Sequence, residues 1–515
     1  MASPSASIRV LGSCRVQQVA RTAAVGKSMF CRGQSSLASS DSNSEEKPRS
    51  LLTKEDGVHQ TMTVSKTWRN KPLFRRQGDV RFKTGLEAAN LLVAEAKRRD
   101  SHETEFIDSV RSTLQCLSPI FDRNPRYAFV AKGLMEPERF IQFRVAWIDD
   151  VGVVRMNRGY RIQYSSSIGP YEGSLHFGHH VNSGVIKALG FNSVFSNALT
   201  GFDVGAAVGG SDINPFDKSE AEIQRFCQSY MTELAKYIGP DHDQPTQGMG
   251  VGEREIGYLF GQYKRITARS SSNGKPFLAG AGSFFQAPGY GIVHFAKEML
   301  NDKGDTLQGK RCLILGAGKV ARSVAQKLLE YGAIPLTFSD ESGHLYEPDG
   351  IDDGKLATIS KIKNERGAHL GRYIIASTTA QFNDPASILD IPCDLCFPCH
   401  KMKDIDDAAA NKLADNGCMG VIEGGHNTVT PSARKVLKKR GLMYGPHTLT
   451  MTGSAIVHAL GKKGTDEQLA AEISRIYSDV KLTAEEFNAR GDLFAGSNIA
   501  GFLRVANVMI THGAV

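Results

Sequence analysis

The chain has 515 residues, 41% of them hydrophobic, with 62 Lys and Arg set against 54 Asp and Glu. That length provides two or three domains with cores of their own, and acids and bases interspersed along the chain exclude a nucleic-acid footprint. No run approaches the roughly 18 consecutive apolar residues of a membrane span, and nine cysteines without paired spacing read as reduced thiols.

The first 40 residues contain no Asp or Glu, yet carry Arg9, Arg15, Arg21, Lys27, Arg32 and nine serines. That composition predicts a transit peptide over residues 1–45 and a mitochondrial matrix address, with a plastid less favoured. A polar linker follows. Gly85–Leu117 places Leu86, Ala89, Leu92 and Ala94 at helical spacing among charges, and Arg139–Ile168 alternates as strands do, with a turn expected at Asn157–Gly159. Ser219–Ile238 returns to helical periodicity, and a glycine-rich stretch leads into a further helix. The polar loop Ser270–Lys275 marks a domain boundary, between a first domain at 46–270 and a second at 280–445. Beyond it, a helix around Val293–Leu300, a strand Arg311–Leu315, a helix through Glu330 and a strand Ile334–Ser339 form a βαβ unit. Residues 446–515 are mostly helical by pattern, clearest at Glu467–Phe487 and Ala495–His512.

The turn Gly316-Ala317-Gly318-Lys319-Val320-Ala321 joins the strand to its helix and carries the GxGxxA pattern in the context that gives it meaning. Gly316 permits the tight turn, Gly318 lets a diphosphate approach the backbone at a helix N-terminus, and Ala321 allows helix to pack on strand. Asp340, closing the next strand, stands where a ribose-binding acid is expected. Read as a ligand site, Gly316, Gly318, Lys319, Val320 and Asp340 hold NAD or NADP. Read as architecture, the glycines keep a strand-to-helix turn, and Lys319 is a solvated lysine.

Many blocks in order, among them NRGYRIQYSSSIGPY, GGSDINP, RFCQSYMTELAKYIGPD, GVGEREIGYLFGQYKR, CDLCFPC, VIEGG and SNIAGFLRVANVM, make this chain resemble the hexameric glutamate dehydrogenases over nearly everything after residue 85. The resemblance implies an α/β fold: an N-terminal mixed α/β dehydrogenase-type domain, a Rossmann-type dinucleotide-binding domain, and C-terminal helices folding back. It also implies a hexamer, or a mixed oligomer with an active paralogue.

Set against the family's motifs without a gap, the site positions depart. Family YKGGLRF reads Tyr171-Glu172-Gly173-Ser174-Leu175-His176-Phe177, so Glu172 replaces the lysine that pairs with the substrate's side-chain carboxylate. Ser196 replaces the lysine that holds the main carboxylate, and Val208 replaces the catalytic lysine of PMGGGKGGSD. Gly248 stands for the proton-transferring aspartate of PAGDIGVG, and a glycine has no group to transfer a proton. At the nicotinamide end, Pro288 replaces a hydroxyl, His426 ends the family's EGAN, and His458 takes a small hydroxyl position. These changes predict a chain dead as a glutamate dehydrogenase, serving as a structural or regulatory subunit of an oligomer or of a larger mitochondrial complex. The alternative is an active NAD(P)-dependent amino-acid dehydrogenase with a changed substrate. His176, His179 and His180 with Glu172 present imidazoles and a carboxylate of zinc-binding type, and Cys393, Cys396, Cys399 and His400 superficially resemble a metal motif. Ordinary histidines and strand cysteines are the preferred reading of both, so no metal is assigned.

Overall fold

The structure, a computed structural model, describes residues 82–268, 271–272, 275–276, 286–365, 367–461 and 464–513. The expected transit segment lies outside the described residues, as does part of the expected boundary loop.

Four helices open the described chain: α1 (Gly85–Arg99), α2 (Thr104–Cys116), α3 (Ser118–Arg123) and α4 (Arg126–Leu134). Thr84 caps α1 by accepting from the Glu87 N–H at 3.2 Å, and Lys97, Arg98 and Arg99 complement the dipole at its other end. Five strands follow, β1 (Arg139–Ile148), β2 (Val154–Ser165), β3 (Tyr171–Phe177), β4 (Ala206–Ser211) and β5 (Asp243–Thr246), in the order β1-β2-β4-β3-β5. β1 and β2 are antiparallel, whereas β3 lies parallel to both neighbours. Helices α5 (Ser183–Leu199), α6 (Glu220–Leu234) and α7 (Glu253–Thr267) cover this sheet. Leu175 and Phe177 of β3 bury against Phe226 and Tyr230 of α6. Their alternates Glu172, Ser174 and His176 therefore face the other way, because side chains on a strand alternate.

The turn expected at Asn157–Gly159 falls inside β2. The reversal comes earlier, where Asp149 Oδ1 accepts from the backbone N–H groups of Val151 at 3.1 Å and Val153 at 2.8 Å, and Gly152 takes φ +84°. Asn157 acts through its side chain, donating to Asp212 at 2.9 Å.

Past the short pair β6 (Ser271–Ser272) and β7 (Lys275–Pro276), α8 (Ala287–Asn301) leads into the second domain. There β8 (Arg311–Leu315), α9 (Lys319–Glu330), β9 (Ile334–Pro335), β10 (Thr337–Asp340), β11 (Gly343–Tyr346) and α10 (Asp353–Asn364) are followed by β12 (Gln381–Asn383) and β13 (Leu395–Pro398). Then come α11 (Asp407–Asp415), β14 (Gly420–Ile422), α12 (Pro431–Lys439) and β15 (Met443–Gly445). The sheet β15-β14-β13-β8-β9 is parallel throughout, a Rossmann-type arrangement. The single strand expected at Ile334–Ser339 is divided. β9 stays with β8, Pro335 has no N–H to continue a ladder, and β10 turns to pair antiparallel with β11.

The C-terminal helices are α13 (His447–Thr450), α14 (Thr452–Leu460), α15 (Asp466–Glu486) and α16 (Leu493–Thr511). α16 folds back onto the first domain, where Arg504 donates to the Ala198 carbonyl at 2.8 Å and Tyr127 to Asn507 at 2.8 Å. Its 19 residues are long and apolar enough to cross a membrane, closer to a span than the sequence reading expected, but 72% of that stretch is buried inside the protein. It is a core helix by packing.

Candidate functional site

The inward face of β3 meets the second domain across a seam. Glu172 Oε2 lies 2.6 Å from His458 Nδ1 on α14, joining the two sides directly. Two residues on, Ser174 Oγ lies 2.6 Å from His176 Nε2, and His176 Nδ1 accepts the Met249 N–H at 3.2 Å. The ring proton therefore sits on Nε2 and is given to Ser174, so His176 is no base for that hydroxyl. Burial first, then the neighbouring charges of His426, His180 and Arg161, push the His176 pKa down to about 3. His179 and His180 lie exposed, ring against ring. Among the described residues no group of three or more His, Cys, Asp or Glu is arranged to hold a metal ion.

The other singled-out positions of the first domain are packed rather than poised. Val208 pairs with Ile162 in the sheet and is 1% exposed in the core beneath α5. Ser196 is buried and bonds back to the Asn192 carbonyl of its own helix at 3.4 Å. At Gly248 a Cβ would fall on the Leu175 carbonyl oxygen and sit 3.0 Å from Ser174 Cβ, so the loop has closed onto β3 in a way that admits only glycine.

Sequence reasoning missed a buried hub on the other side of the seam. Glu423 accepts from the Thr428 N–H at 2.6 Å, the Thr428 hydroxyl at 2.9 Å, the Val429 N–H at 3.2 Å and the His447 N–H at 3.2 Å, as well as from Tyr444. Burial alone would raise its carboxyl, but His447 and Tyr444 hold it below its ordinary range. From this hub a row of imidazoles crosses the seam: His447 to His426 with centroids 6.3 Å apart, then His426 to His176 at 6.1 Å. Burial and the adjacent His447 push His426 down to about 4. The only signal available beforehand was His426, where the resemblance expects the end of EGAN.

The nucleotide-type turn keeps its backbone. Gly316 takes φ +99°, a Cβ there would lie 2.8 Å from the Cys399 carbonyl oxygen, and its N–H donates to Ser339 Oγ at 2.7 Å. Gly318 caps α9, and among the described residues no atom beyond its chain neighbours and its own helix lies within 4 Å of where its Cβ would be, so a phosphate could approach the helix N-terminus. Val320 packs partly buried against the core, while Lys319 Nζ reaches Glu253 Oε1 of α7 at 3.3 Å across the seam. Asp340 sits where expected but is occupied: Lys363 Nζ donates at 2.9 Å, the Leu370 N–H at 3.0 Å and the Ser342 N–H at 3.0 Å. Burial raises its carboxyl, yet Ser342 and Lys363 hold it below the ordinary range. The open backbone at Gly318 fits a dinucleotide's diphosphate, and a ribose diol at Asp340 would have to displace Ser342 or Lys363.

A mixed α/β domain joined to a Rossmann-type domain, with the polar residues in their seam, is the architecture of a two-domain dehydrogenase. Residues 137–265 match the Glu/Leu/Phe/Val dehydrogenase dimerisation domain, and residues 280–513 match the glutamate/leucine/phenylalanine/valine dehydrogenase domain. The chain belongs to the Glu/Leu/Phe/Val dehydrogenase family. It is 40% identical over 445 residues to an NADP-specific glutamate dehydrogenase of Chlorella sorokiniana, covering 82% of this chain and 84% of the relative. A second NADP-specific glutamate dehydrogenase, from Giardia intestinalis, is 37% identical over 82% of this chain and 98% of its own. Among solved structures, glutamate dehydrogenase 2 of Plasmodium falciparum superposes with a TM-score of 0.75 at 38% identity, over 85% of this chain and 99% of that one.

Proposed function

We propose that this chain is a non-catalytic member of its family, a structural or regulatory subunit of an oligomer that holds NAD or NADP at the turn 316–321 without turning over glutamate. The observation that carries this reading is the Glu172–His458 pair at 2.6 Å. It puts a carboxylate, already partnered, where the resemblance to active relatives places a cation for the substrate. A 2-oxo dicarboxylate brings two charges into the seam, and each buried without a partner costs on the order of several kcal/mol. The residues at Val208 and Gly248 add to this. By the family's chemistry, loss of the general acid/base lowers the rate by roughly 10²–10⁴ and loss of the polarising lysine by about 10²–10³ more. The purified full-length protein, given NADH or NADPH with ammonium and a panel of 2-oxo acids, is expected to show no oxidation of the cofactor, and sustained turnover of 2-oxoglutarate would sink the reading.

One observation favours a second reading, an active dehydrogenase of changed substrate. Glu172 and His458 form a titratable pair facing the seam, able to meet a cationic or apolar side chain in place of a carboxylate. Turnover of such an amino acid that disappears in Glu172→Ala would establish it. The family's dimerisation domain supports an oligomer, either of this chain alone or mixed with an active paralogue in a mitochondrial assembly. Native mass spectrometry after co-purification discriminates the two. A fluorescent protein fused behind residues 1–45 tests the organellar address.

A further inference from the structure

Two thiols that the seam does not use meet where β13 and β14 begin. These strands run parallel, with Leu395 opposite Gly420 and Cys396 opposite Val421, and the Met419 N–H carries the ladder back by donating to the Asp394 carbonyl at 2.7 Å. One step further back, that register sets Cys393 opposite Cys418. Cys393, Cys396, Cys418 and Val421 all pack in one apolar cluster, so both thiols lie on the same face of the sheet. Cys418 Sγ is 3.7 Å from the carbonyl oxygen of Asp394, the residue next to Cys393, and the two thiols are hydrogen-bonded to each other. Neighbouring strands stand roughly 4.8 Å apart, inside the roughly 4.4–6.8 Å between Cα atoms that a disulfide spans.

The pair sits one residue from solvent. Cys393 and Cys418 are each 5% exposed and follow the exposed Pro392 and Gly417, whereas Cys312 and Cys396 of the same sheet are 0% exposed. Burial disfavours a thiolate, but the hydrogen bond from Cys393 outweighs it at Cys418 and lowers that pKa, so Cys418 is the first to ionise. Cys393 is pushed up, by that hydrogen bond first and by burial second, and keeps its proton. One sulfur is thus the nucleophile and its neighbour the thiol that answers it.

We propose that Cys393 and Cys418 are a reversible oxidation site, at which a hydroperoxide joins β13 to β14 through a disulfide. The Cys418 thiolate attacks the O–O bond, which breaks. One oxygen stays on sulfur as a sulfenic acid, and the other leaves as water or an alcohol after taking up the proton that Cys418 released. The Cys393 sulfur then displaces the sulfenic oxygen, which departs as water with the Cys393 proton while the S–S bond forms. The two sulfurs together give up two electrons, and the hydroperoxide accepts them. The bond closes residues 394–417, α11 among them, into a covalent loop and restricts the unfolded chain, so the oxidised second domain is the harder to unfold. None of this depends on whether the seam is catalytic or on what the turn 316–321 holds.

The test is to treat the purified full-length protein with hydrogen peroxide under native conditions, block the remaining thiols with N-ethylmaleimide in denaturant, and map the peptides without reduction. A peptide that joins Cys393 to Cys418 is expected, separated by dithiothreitol, together with a urea midpoint above that of the reduced protein. Cys418→Ser is expected to lose both the cross-link and the midpoint shift. If that variant does not fold, the peptide map of the unaltered protein decides the matter. Recovery of Cys393 and Cys418 as blocked thiols from the treated protein overturns the proposal, as does their conversion to sulfinic or sulfonic acids without a cross-link. So does a cross-link that forms only in urea, or one that lowers the midpoint.

Discussion

The turn at 316–321 and the lining of β3 face the same seam, and they differ in what builds them. The turn is made of backbone: a φ that glycine favours at Gly316, an N–H given to Ser339, and the Cys399 carbonyl lying where a side chain would go. The β3 lining is made of side chains, with Glu172 held by His458 and His176 held between Ser174 and Met249. A backbone site resists change because altering it breaks the fold around it. A side-chain site can be rewritten residue by residue while the strand beneath it stays as it was. The side chains on β3 therefore say little about the backbone turn opposite.

Substitutions that separate backbone and side-chain roles sharpen this contrast. The largest effect is expected beneath β3, where Arg161 bonds Asp243 and also donates to the Gly173 carbonyl at 3.1 Å, with both charged side chains fully buried. Asp243→Ala leaves a buried guanidinium unpaired and is expected to cost about 3–5 kcal/mol in urea unfolding. Gly316→Val, forced into φ +99° against Cys399, is expected to cost about 2–3 kcal/mol and to abolish nucleotide binding in a thermal-shift titration. Gly248→Asp puts an aspartate into a loop with no room for it. It should lose about 1–3 kcal/mol and gain no dehydrogenase activity, and recovered turnover would show that the loop can reopen.

Acid tests the imidazole row. His176 is pushed down to about 3 and His426 to about 4, against 6.5 for an ordinary histidine, so both stay neutral in the folded chain. Below pH 6.5 the unfolded chain takes up protons that the folded chain refuses, and stability falls as pH drops toward 4. At pH 5 the loss is expected to be roughly 1–2 kcal/mol per histidine, and His426→Asn should flatten the slope of stability against pH. The smallest effect belongs to the exposed Lys319–Glu253 bridge. Lys319→Ala is expected to change stability by less than about 1 kcal/mol, and a larger change would make that contact a true closure of the seam.

Local pattern carried much of the fold. The apolar spacing of 85–117 foretold α1 and α2, the run Arg311–Leu315 is β8, and GxGxxA placed the strand-to-helix turn correctly. It failed at Asn157–Gly159, where turn-forming residues sit inside β2, since Asp149 captures two backbone N–H groups first and sets the reversal earlier. In the site, the sequence reading took Glu172, Ser196, Val208 and Gly248 as departures from the family's motifs, because a differing residue stands out wherever its flanks resemble the motif. It also singled out His458, but not that this ring answers Glu172, nor that Glu423 gathers six hydrogen bonds from three segments. Those relations join residues distant along the chain, and neither periodicity nor spacing carries information about which distant side chains meet. Sequence determined most of the elements and which chemistry-bearing residues the chain carries, whereas packing two domains and a returning helix decided which of them became partners.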